Sequence, residues 1–262
     1  MTLALFDCGP AVIAALHLPD PADKRSMAWL EDYAVANARI FADAGIPWVK
    51  VQDQTRTDGP ASSATIATLS ALARLIRAEV PGLGIGIIIE AHDPEAALSV
   101  AAASGADFVR LKVFVGGAMT AFGPRYALAP RAVAHRASLG RPDIAILADV
   151  HDRTSVPLSF EGQPMAADWA RKAGADGLVI TGSSFADTQT RIAALRHQGL
   201  SMPILIGGGV TAENVAQAMA CCDGVVVSSS LMRKEIDANE KVRWDATACA
   251  QFMEAARAAP AR

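Results

Sequence analysis

The sequence predicts a single α/β domain folded as a (β/α)8 TIM barrel. Short apolar runs alternate with amphipathic stretches along all 262 residues, and several amphipathic stretches end in a glycine just before the next apolar run. Alternating strands and helices indicate a parallel sheet that is covered by helices on both faces. Eight such units at this length are typical of a closed barrel. No linker interrupts the chain, so we expect one domain over residues 1–262.

Eight nearly continuous hydrophobic runs are predicted as the strands: Val12–Leu18, Trp48–Gln52, Gly84–Glu90, Phe108–Phe114, Ile144–Val150, Gly177–Thr181, Pro203–Ile206 and Gly224–Val227. Amphipathic stretches predict the helices: Ser26–Ala44, Ser63–Glu79, Pro94–Ser104, Arg125–Ser138, Pro164–Ala173, Ala186–His197, Ala212–Ala220 and Ala246–Ala258. Gly45, Gly105 and Gly174 predict left-handed helix C-caps. A doubly wound open sheet is the competing architecture, but His17-Leu-Pro-Asp-Pro-Ala lacks the glycine-rich turn expected after its first strand.

Composition limits the classes of partner. The net charge is −3 with no basic block, so the concentrated positive surface that nucleic acid requires is missing. No apolar run is long enough to span a bilayer, and Ala11–Leu18 lacks the flanks of a signal peptide. Cys8, Cys221, Cys222 and Cys249 do not have zinc-site or redox spacing. We therefore expect a cytoplasmic protein, without membrane insertion, that forms a homo-oligomer.

The segment from Pro203 to Asn214 predicts a phosphate site. It combines a buried strand, the turn Gly207-Gly208-Gly209 and a helix start, and backbone N–H groups there can approach an anion. The next strand ends in Ser228-Ser229-Ser230. The alternative is a tight turn with room for helix packing. We assign phosphate binding to five residues that follow neighbouring strands: Gly182, Gly208, Gly209, Ser229 and Ser230.

Polar side chains converge at the carboxyl ends of the other strands, where barrel active sites lie. These candidate catalytic residues are Asp53, Glu90, Arg110, Lys112, Asp149 and His151. Asp149 and His151 are either a structural pair or an acid/base pair. Arg110 and Lys112 either balance the carboxylates or contact the substrate. Asp53, Glu90 and His151 could hold a divalent cation, although their spacing is not diagnostic; no other cofactor is indicated.

Two loops leave the same face of the predicted barrel. Asp53–Ser63 is polar, and Gly116–Tyr126 is rich in glycine. Either loop could cover the site as a lid, or both are ordinary solvated loops.

Several segments resemble the BtpA/SgcQ family in order and spacing. They include Ala148-Asp-Val-His151, Gly208-Gly-Val-Thr-Ala-Glu-Asn-Val215 and Asp223-Gly-Val-Val-Val-Ser-Ser-Ser-Leu231. The resemblance implies a phosphate-binding barrel of the ribulose-phosphate-binding type. Members of this family are described as photosystem I biogenesis factors or as enzymes of sugar or nucleotide metabolism. The chain departs from the family pattern at Gln52-Asp53, His92-Asp93, Lys112 and Met232, and most of these positions fall at the predicted site.

Three functions remain open from the sequence. The leading hypothesis is an isomerase, epimerase or lyase that acts next to the carbonyl of a sugar phosphate or nucleotide-like compound, with His151 or Asp149 moving the proton and Lys112 or Arg110 stabilising the enolate. The alternatives are a non-catalytic biogenesis factor for a membrane complex such as a photosystem, and a metal-dependent nucleotide phosphohydrolase.

Overall fold

The computed structural model describes residues 4–6, 10–55, 59–158, 162–235, 237 and 239–259. Within them, eight parallel strands close a barrel, which confirms the predicted fold class. With all strands numbered in chain order, the barrel consists of β1 (Ala11–His17), β2 (Trp48–Gln52), β3 (Gly84–Ile88), β4 (Phe108–Leu111), β7 (Ala145–Asp149), β9 (Gly177–Ile180), β10 (Ile204–Ile206) and β11 (Gly224–Val227). Three short strands, β5 (Gly117–Thr120), β6 (Gly123–Tyr126) and β8 (Val156–Pro157), form a separate antiparallel sheet.

The helices surround the barrel and follow the predicted order. They are α1 (Met27–Asp43), α2 (Ser63–Glu79), α3 (Pro94–Ser104), α4 (Ala129–Ser138), α5 (Gln163–Lys172), α6 (Phe185–His197), α7 (Val215–Cys221) and α8 (Ala246–Arg257). Ser26 and Ser62 accept hydrogen bonds from N–H groups of the first turns of α1 and α2, as N-cap residues do. Gly45, Gly105 and Gly174 have φ of +79°, +75° and +93°, which confirms the predicted left-handed positions. In the described part of the chain, no helix is both long and apolar enough to cross a membrane.

Large rings fill the lower interior of the barrel. Trp48 and Phe108 meet edge to face, with ring centroids 6.2 Å apart. The neighbouring strand β3 carries glycine where it faces them. A Cβ on Gly84 would lie 1.9 Å from the Trp48 ring, and one on Gly86 would lie 2.1 Å from the Phe108 ring. The two glycines are therefore required for this packing, which closes the bottom of the barrel beneath the site.

A repeated ion pair fastens the amino-terminal ends of the strands. The residue before each of the strands β4, β9 and β11 is an aspartate, and it pairs with an arginine of a surrounding helix. Each aspartate also accepts a 2.8 Å hydrogen bond from a backbone N–H of the preceding barrel strand; the donors are Ile85, Ile146 and Ile204, respectively. The three pairs are Arg77–Asp107, Arg136–Asp176 and Arg196–Asp223. Each joins a helix to two strands at the face opposite the predicted site.

The structure corrects three predicted boundaries by three or more residues. Helix α4 begins at Ala129 rather than Arg125, because Gly123–Tyr126 pairs with Gly117–Thr120 as a hairpin. The barrel strand β4 ends at Leu111 and not at Phe114. Helix α7 begins at Val215 rather than Ala212, because the Asn214 side chain accepts from the Thr211 N–H and holds the preceding segment in a turn. Cys8 lies outside the described residues.

Candidate functional site

A cavity of about 290 Å³ lies at the carboxyl ends of β2, β4 and β7. From the strand ends it is lined by Gln52, Glu90, Lys112, Asp149 and His151. The β5–β6 hairpin covers it with residues that include Ala118, Thr120, Phe122 and Arg125. Four of the six predicted catalytic residues therefore share one cavity. The segment predicted as a lid, Gly116–Tyr126, is a hairpin that forms one of its walls.

Glu90 is the centre of the polar network in this cavity. Its Oε1 accepts a 2.7 Å hydrogen bond from Gln52 Nε2, and Lys112 Nζ lies 3.1 Å from both of its carboxylate oxygens. Arg125 Nη1 lies 3.4 Å from the Glu90 carbonyl oxygen. The Gln52 amide and the Lys112 ammonium therefore orient the Glu90 carboxylate. Glu90 is only 9% exposed but still borders the cavity.

Arg110 and Asp149 form a buried bidentate ion pair. Arg110 Nε and Nη2 lie 2.9 and 2.7 Å from the two carboxylate oxygens of Asp149, and the residues are 7% and 3% exposed. Burial alone would lower the pKa of Arg110, but the Asp149 carboxylate raises it. Burial raises the pKa of Asp149, and the Arg110 guanidinium opposes that rise. The fork geometry is that of a strong bidentate pair, and it occupies both oxygens of Asp149.

Lys50 is a buried lysine that was not among the predicted site residues. It lies on β2 and faces the barrel interior, as Trp48 and Gln52 do. The residue is 3% exposed and donates a hydrogen bond to Gln52 Oε1. Burial lowers the pKa of its amine well below the ordinary value, and Arg110 and Lys112 lower it further. Lys50 was not predicted because only residues at the strand ends were considered as site residues. The alternation of side chains along β2 could have identified this lysine as inward-facing, since it lies two residues from Trp48 and from Gln52.

Two residues of the cavity wall have a strained backbone. Val113 and His151 have φ of +49° and +54°, and both line the cavity two residues after the ends of β4 and β7. A left-handed conformation is unfavourable for a β-branched residue. Such strain persists where the surrounding structure determines the backbone, often at functional sites.

Asp53 lies beside the main cavity and not in it. Its Oδ1 accepts a 2.7 Å hydrogen bond from the Glu90 N–H, and the residue borders a second cavity of about 290 Å³. Desolvation raises the pKa of Asp53. The loop predicted from Asp53 to Ser63 therefore flanks this second cavity, although its residues 56–58 lie outside the described residues.

The proposed cation ligands Asp53, Glu90 and His151 are not brought together. Among the residues that the structure describes, no group of three or more His, Cys, Asp or Glu side chains is arranged to hold a metal ion. The Glu90 oxygens are instead held by Lys112 and Gln52.

The glycine turn and the serine segment lie next to each other. Ser230 Oγ donates a 2.9 Å hydrogen bond to the Val210 carbonyl, which joins the end of β11 to the turn after β10. Asn214 Nδ2 donates to the Gly209 carbonyl at 3.0 Å, and Gly209 has φ of +77°. Within the described residues, the N–H groups of Gly208 and Gly209 have no protein acceptor. These two N–H groups remain available to an anion.

Gly182, at the end of β9, packs closely against the start of α6. Its N–H donates to Thr188 Oγ1 at 2.9 Å, and a Cβ at this position would lie 2.7 Å from Asp187 Oδ2. The glycine is therefore needed for the close approach of α6 to β9. Its N–H is already used, and the nearby carboxylate would repel an anion.

Comparisons with known proteins agree with this architecture. The uncharacterized protein PH1209 of Pyrococcus horikoshii is 29% identical, with 94% of this chain and 96% of that protein covered. The photosystem I biogenesis protein BtpA of Synechocystis is 28% identical, with coverage of 87% and 82%. A chain of tryptophan synthase from M. tuberculosis has a TM-score of 0.64 at 14% identity, with coverage of 98% and 99%, and is similar in fold. The BtpA family matches residues 9–258, and the chain therefore belongs to the BtpA family.

Proposed function

We propose that this BtpA-family barrel binds a phosphorylated small molecule and moves a proton at a carbon next to a carbonyl, as an isomerase, epimerase or lyase. The observation that carries the proposal is the pairing of the Glu90 carboxylate with the Lys112 ammonium at 3.1 Å in one cavity. A carboxylate can abstract a proton, and an adjacent ammonium can stabilise the enolate oxygen that forms.

The contacts favour Glu90 over Asp149 as the base. Both oxygens of Asp149 are held by Arg110, so proton transfer to Asp149 would break a buried ion pair. Glu90 borders the same cavity and is paired with a lysine, whose ammonium can turn toward a substrate oxygen. His151, which also lines the cavity, is the second proton-transfer group. Asp149 and Arg110 then position the wall of the site.

The glycine turn is proposed to hold the phosphate. Gly208 and Gly209 have N–H groups without a protein acceptor in the described part of the chain. Ser229 and Ser230 stand beside them at the end of β11, and the Ser230 hydroxyl already donates to Val210. Backbone N–H groups at such a turn are suited to anion binding because no side chain blocks their approach.

Binding is tested by thermal unfolding with inorganic phosphate, aldose phosphates, ketose phosphates and nucleotides, each with and without Mg²⁺. A ligand at a hundredfold its Kd should add about 2.7 kcal/mol of stability. The Mg²⁺ arm also tests the metal-dependent phosphohydrolase alternative. If no phosphorylated compound changes the melting temperature, the phosphate site is refuted.

Chemistry is tested by following deuterium incorporation from D₂O into the compounds that bind. Glu90→Gln keeps the side-chain shape and removes the base, so exchange should fall about 10²–10⁴-fold. Glu95→Gln, which changes a half-buried carboxylate paired with Arg131, is the matched control. Exchange that survives both Glu90→Gln and His151→Asn would refute the proposed roles.

One observation favours a second function, a protein-docking or assembly factor. Large exposed apolar side chains lie on the small sheet and on α5, at Met119, Phe122, Tyr126, Val156, Leu158, Met165 and Trp169. Exposed apolar side chains that are neighbours, such as Met119 and Val156 on paired strands, are typical of an interaction surface. Such a surface fits the expected homo-oligomer, and the printed name of the Synechocystis relative refers to photosystem I biogenesis. A cytoplasmic location stays a prediction.

A further inference from the structure

We propose that Arg153 is a ligand of the anion bound at the glycine turn, and that it selects phosphorylated over neutral compounds. This inference rests on the proposed function, and it assigns to that site a charged side chain from a different part of the chain. The ligand class is a phosphate monoester or inorganic phosphate.

The position of the guanidinium is the first support. Arg153 Nη2 lies 3.8 Å from the point that a Cβ on Gly208 would occupy. The guanidinium therefore lies close to the turn whose N–H groups are open. The absence of a side chain at Gly208 leaves room for a ligand in contact with both groups.

The free charge of Arg153 is the second support. Arg153 is exposed, and among the described residues it makes no ion pair and donates no hydrogen bond. Its neighbour Asp152 uses Oδ1 to accept from the Thr154 N–H at 3.0 Å. Phosphate recognition by arginine is favoured because the planar group offers two parallel N–H donors.

A buried hydroxyl without a partner is the third support. Thr181 is 4% exposed, and its Oγ1 has no hydrogen-bond partner within the described residues. A Cβ on Gly207 would lie 2.0 Å from this oxygen and 3.2 Å from Arg110 Nη2. An unpartnered buried hydroxyl is uncommon in a folded protein, and here it adjoins the first glycine of the turn.

The loop that carries Arg153 also connects the two parts of the site. Asp152 and Thr154, on either side of it, line the main cavity, whereas its guanidinium reaches Gly208. A phosphate between Arg153 and the turn would therefore lie beside the cavity that holds Glu90 and Lys112. This arrangement would orient the remainder of the ligand toward the proposed base.

The test is a calorimetric titration of the full-length protein with inorganic phosphate at constant ionic strength. Arg153→Gln should weaken binding about ten- to a hundredfold, because a hydrogen-bonded charge is removed. Arg153→Lys should recover only part of the loss, since lysine keeps the charge without the two parallel donors. In phosphate-free buffer the melting temperature should not change, because the side chain has no described partner.

Arg74→Gln is the matched control. Arg74 is another exposed arginine, and its Nη1 lies 4.0 Å from the Cβ position of Gly105, at the opposite end of the barrel. Phosphate binding that is weakened equally by Arg74→Gln and Arg153→Gln would indicate net charge alone and overturn the assignment. If the wild type binds phosphate and Arg153→Gln binds it equally well, the role of Arg153 is refuted while the anion site stands. If the wild type binds no phosphate, the proposed phosphate site and the role of Arg153 fail together.

Discussion

Because Arg110 and Asp149 form a buried ion pair, replacing one of them should lower the free energy of unfolding far more than replacing both. Asp149→Ala leaves a guanidinium in a position where only 7% of the residue is exposed. Arginine remains protonated at every accessible pH, so the protein cannot relieve this cost by losing the charge. Arg110→Met leaves a buried carboxylate instead, and a carboxylate can be neutralised by a proton.

The magnitude follows from the burial and from the two contacts of 2.9 and 2.7 Å. Removing one partner of a buried pair costs roughly 3–5 kcal/mol. For a domain of this size, that corresponds to a fall in melting temperature of roughly 6–20 °C. The double variant Arg110→Met/Asp149→Leu removes both charges and should lie within about 1 kcal/mol of the wild type, because apolar replacement of such pairs is often neutral.

The assay is urea unfolding followed by circular dichroism, at pH 7 and at pH 5. The loss in Arg110→Met should become smaller at pH 5, because an unpaired buried carboxyl group has a raised pKa and takes up a proton. The loss in Asp149→Ala should not shrink in this way, because the arginine that remains cannot lose its charge. The two single variants and the double variant together form a mutant cycle that isolates the pairwise free energy.

A double variant that is as unstable as Asp149→Ala would refute the reasoning, because the loss would then arise from packing and not from an uncompensated charge. The result also decides how activity data are interpreted. A loss of turnover in Asp149→Ala says nothing about catalysis until the folded fraction is known. The conservative variants of Glu90 and His151 are therefore the better tests of mechanism.

Three further predictions concern buried positions. Desolvation raises the pKa of Asp53, so the folded state disfavours its charged form. Asp53→Asn should therefore be more stable than the wild type at pH 7 and should lose this advantage below the ordinary carboxyl pKa near 4. Urea titrations across pH 3–7 measure the difference. Because the pKa of Lys50 is lowered in the folded state, the unfolded chain binds the Lys50 proton more strongly, and this raises stability between pH 7 and 10. Lys50→Met should abolish this contribution, and an unchanged pH profile would contradict it. Gly86→Ala should cost roughly 1–3 kcal/mol by overpacking, because its Cβ would lie 2.1 Å from the Phe108 ring; the loss should be smaller when it is introduced into a Phe108→Leu background.

The barrel was predictable because its evidence is local. Each strand is a short hydrophobic run, and Gly45, Gly105 and Gly174 mark the ends of helices by a backbone conformation that few other residues adopt. The β5–β6 hairpin was not predictable in this way. Its strands have four residues each, and β5 pairs further with Val156 and Pro157, which come from a distant part of the sequence. That pairing depends on the closed barrel and not on the propensity of the segment.

The candidate site was predicted as a set of residues but not as a set of roles. Position at strand ends placed Glu90, Lys112 and Asp149 on one face, as the barrel rule requires. Whether a carboxylate serves as a base or as a partner of a buried charge depends on distances of about 3 Å between side chains of different strands. Lys50 could have been found from the alternation of β2, whereas the position of Arg153 beside Gly208 follows from the path of a loop that no sequence pattern specifies.

The two proposed functions meet at the same hairpin, and particular side chains can separate them. Phe122 lines the cavity and is also 57% exposed, so its replacement would disturb both ligand binding and docking. Met119 and Val156 are exposed to 43% and 67%, are paired across the small sheet, and do not line the cavity. Charged substitutions at these two positions should therefore change the oligomeric state or partner binding while phosphate binding stays the same. If these substitutions weaken phosphate binding as well as partner binding, the outer face of the small sheet and the wall of the cavity are coupled. A partner bound to the outer face would then influence ligand binding.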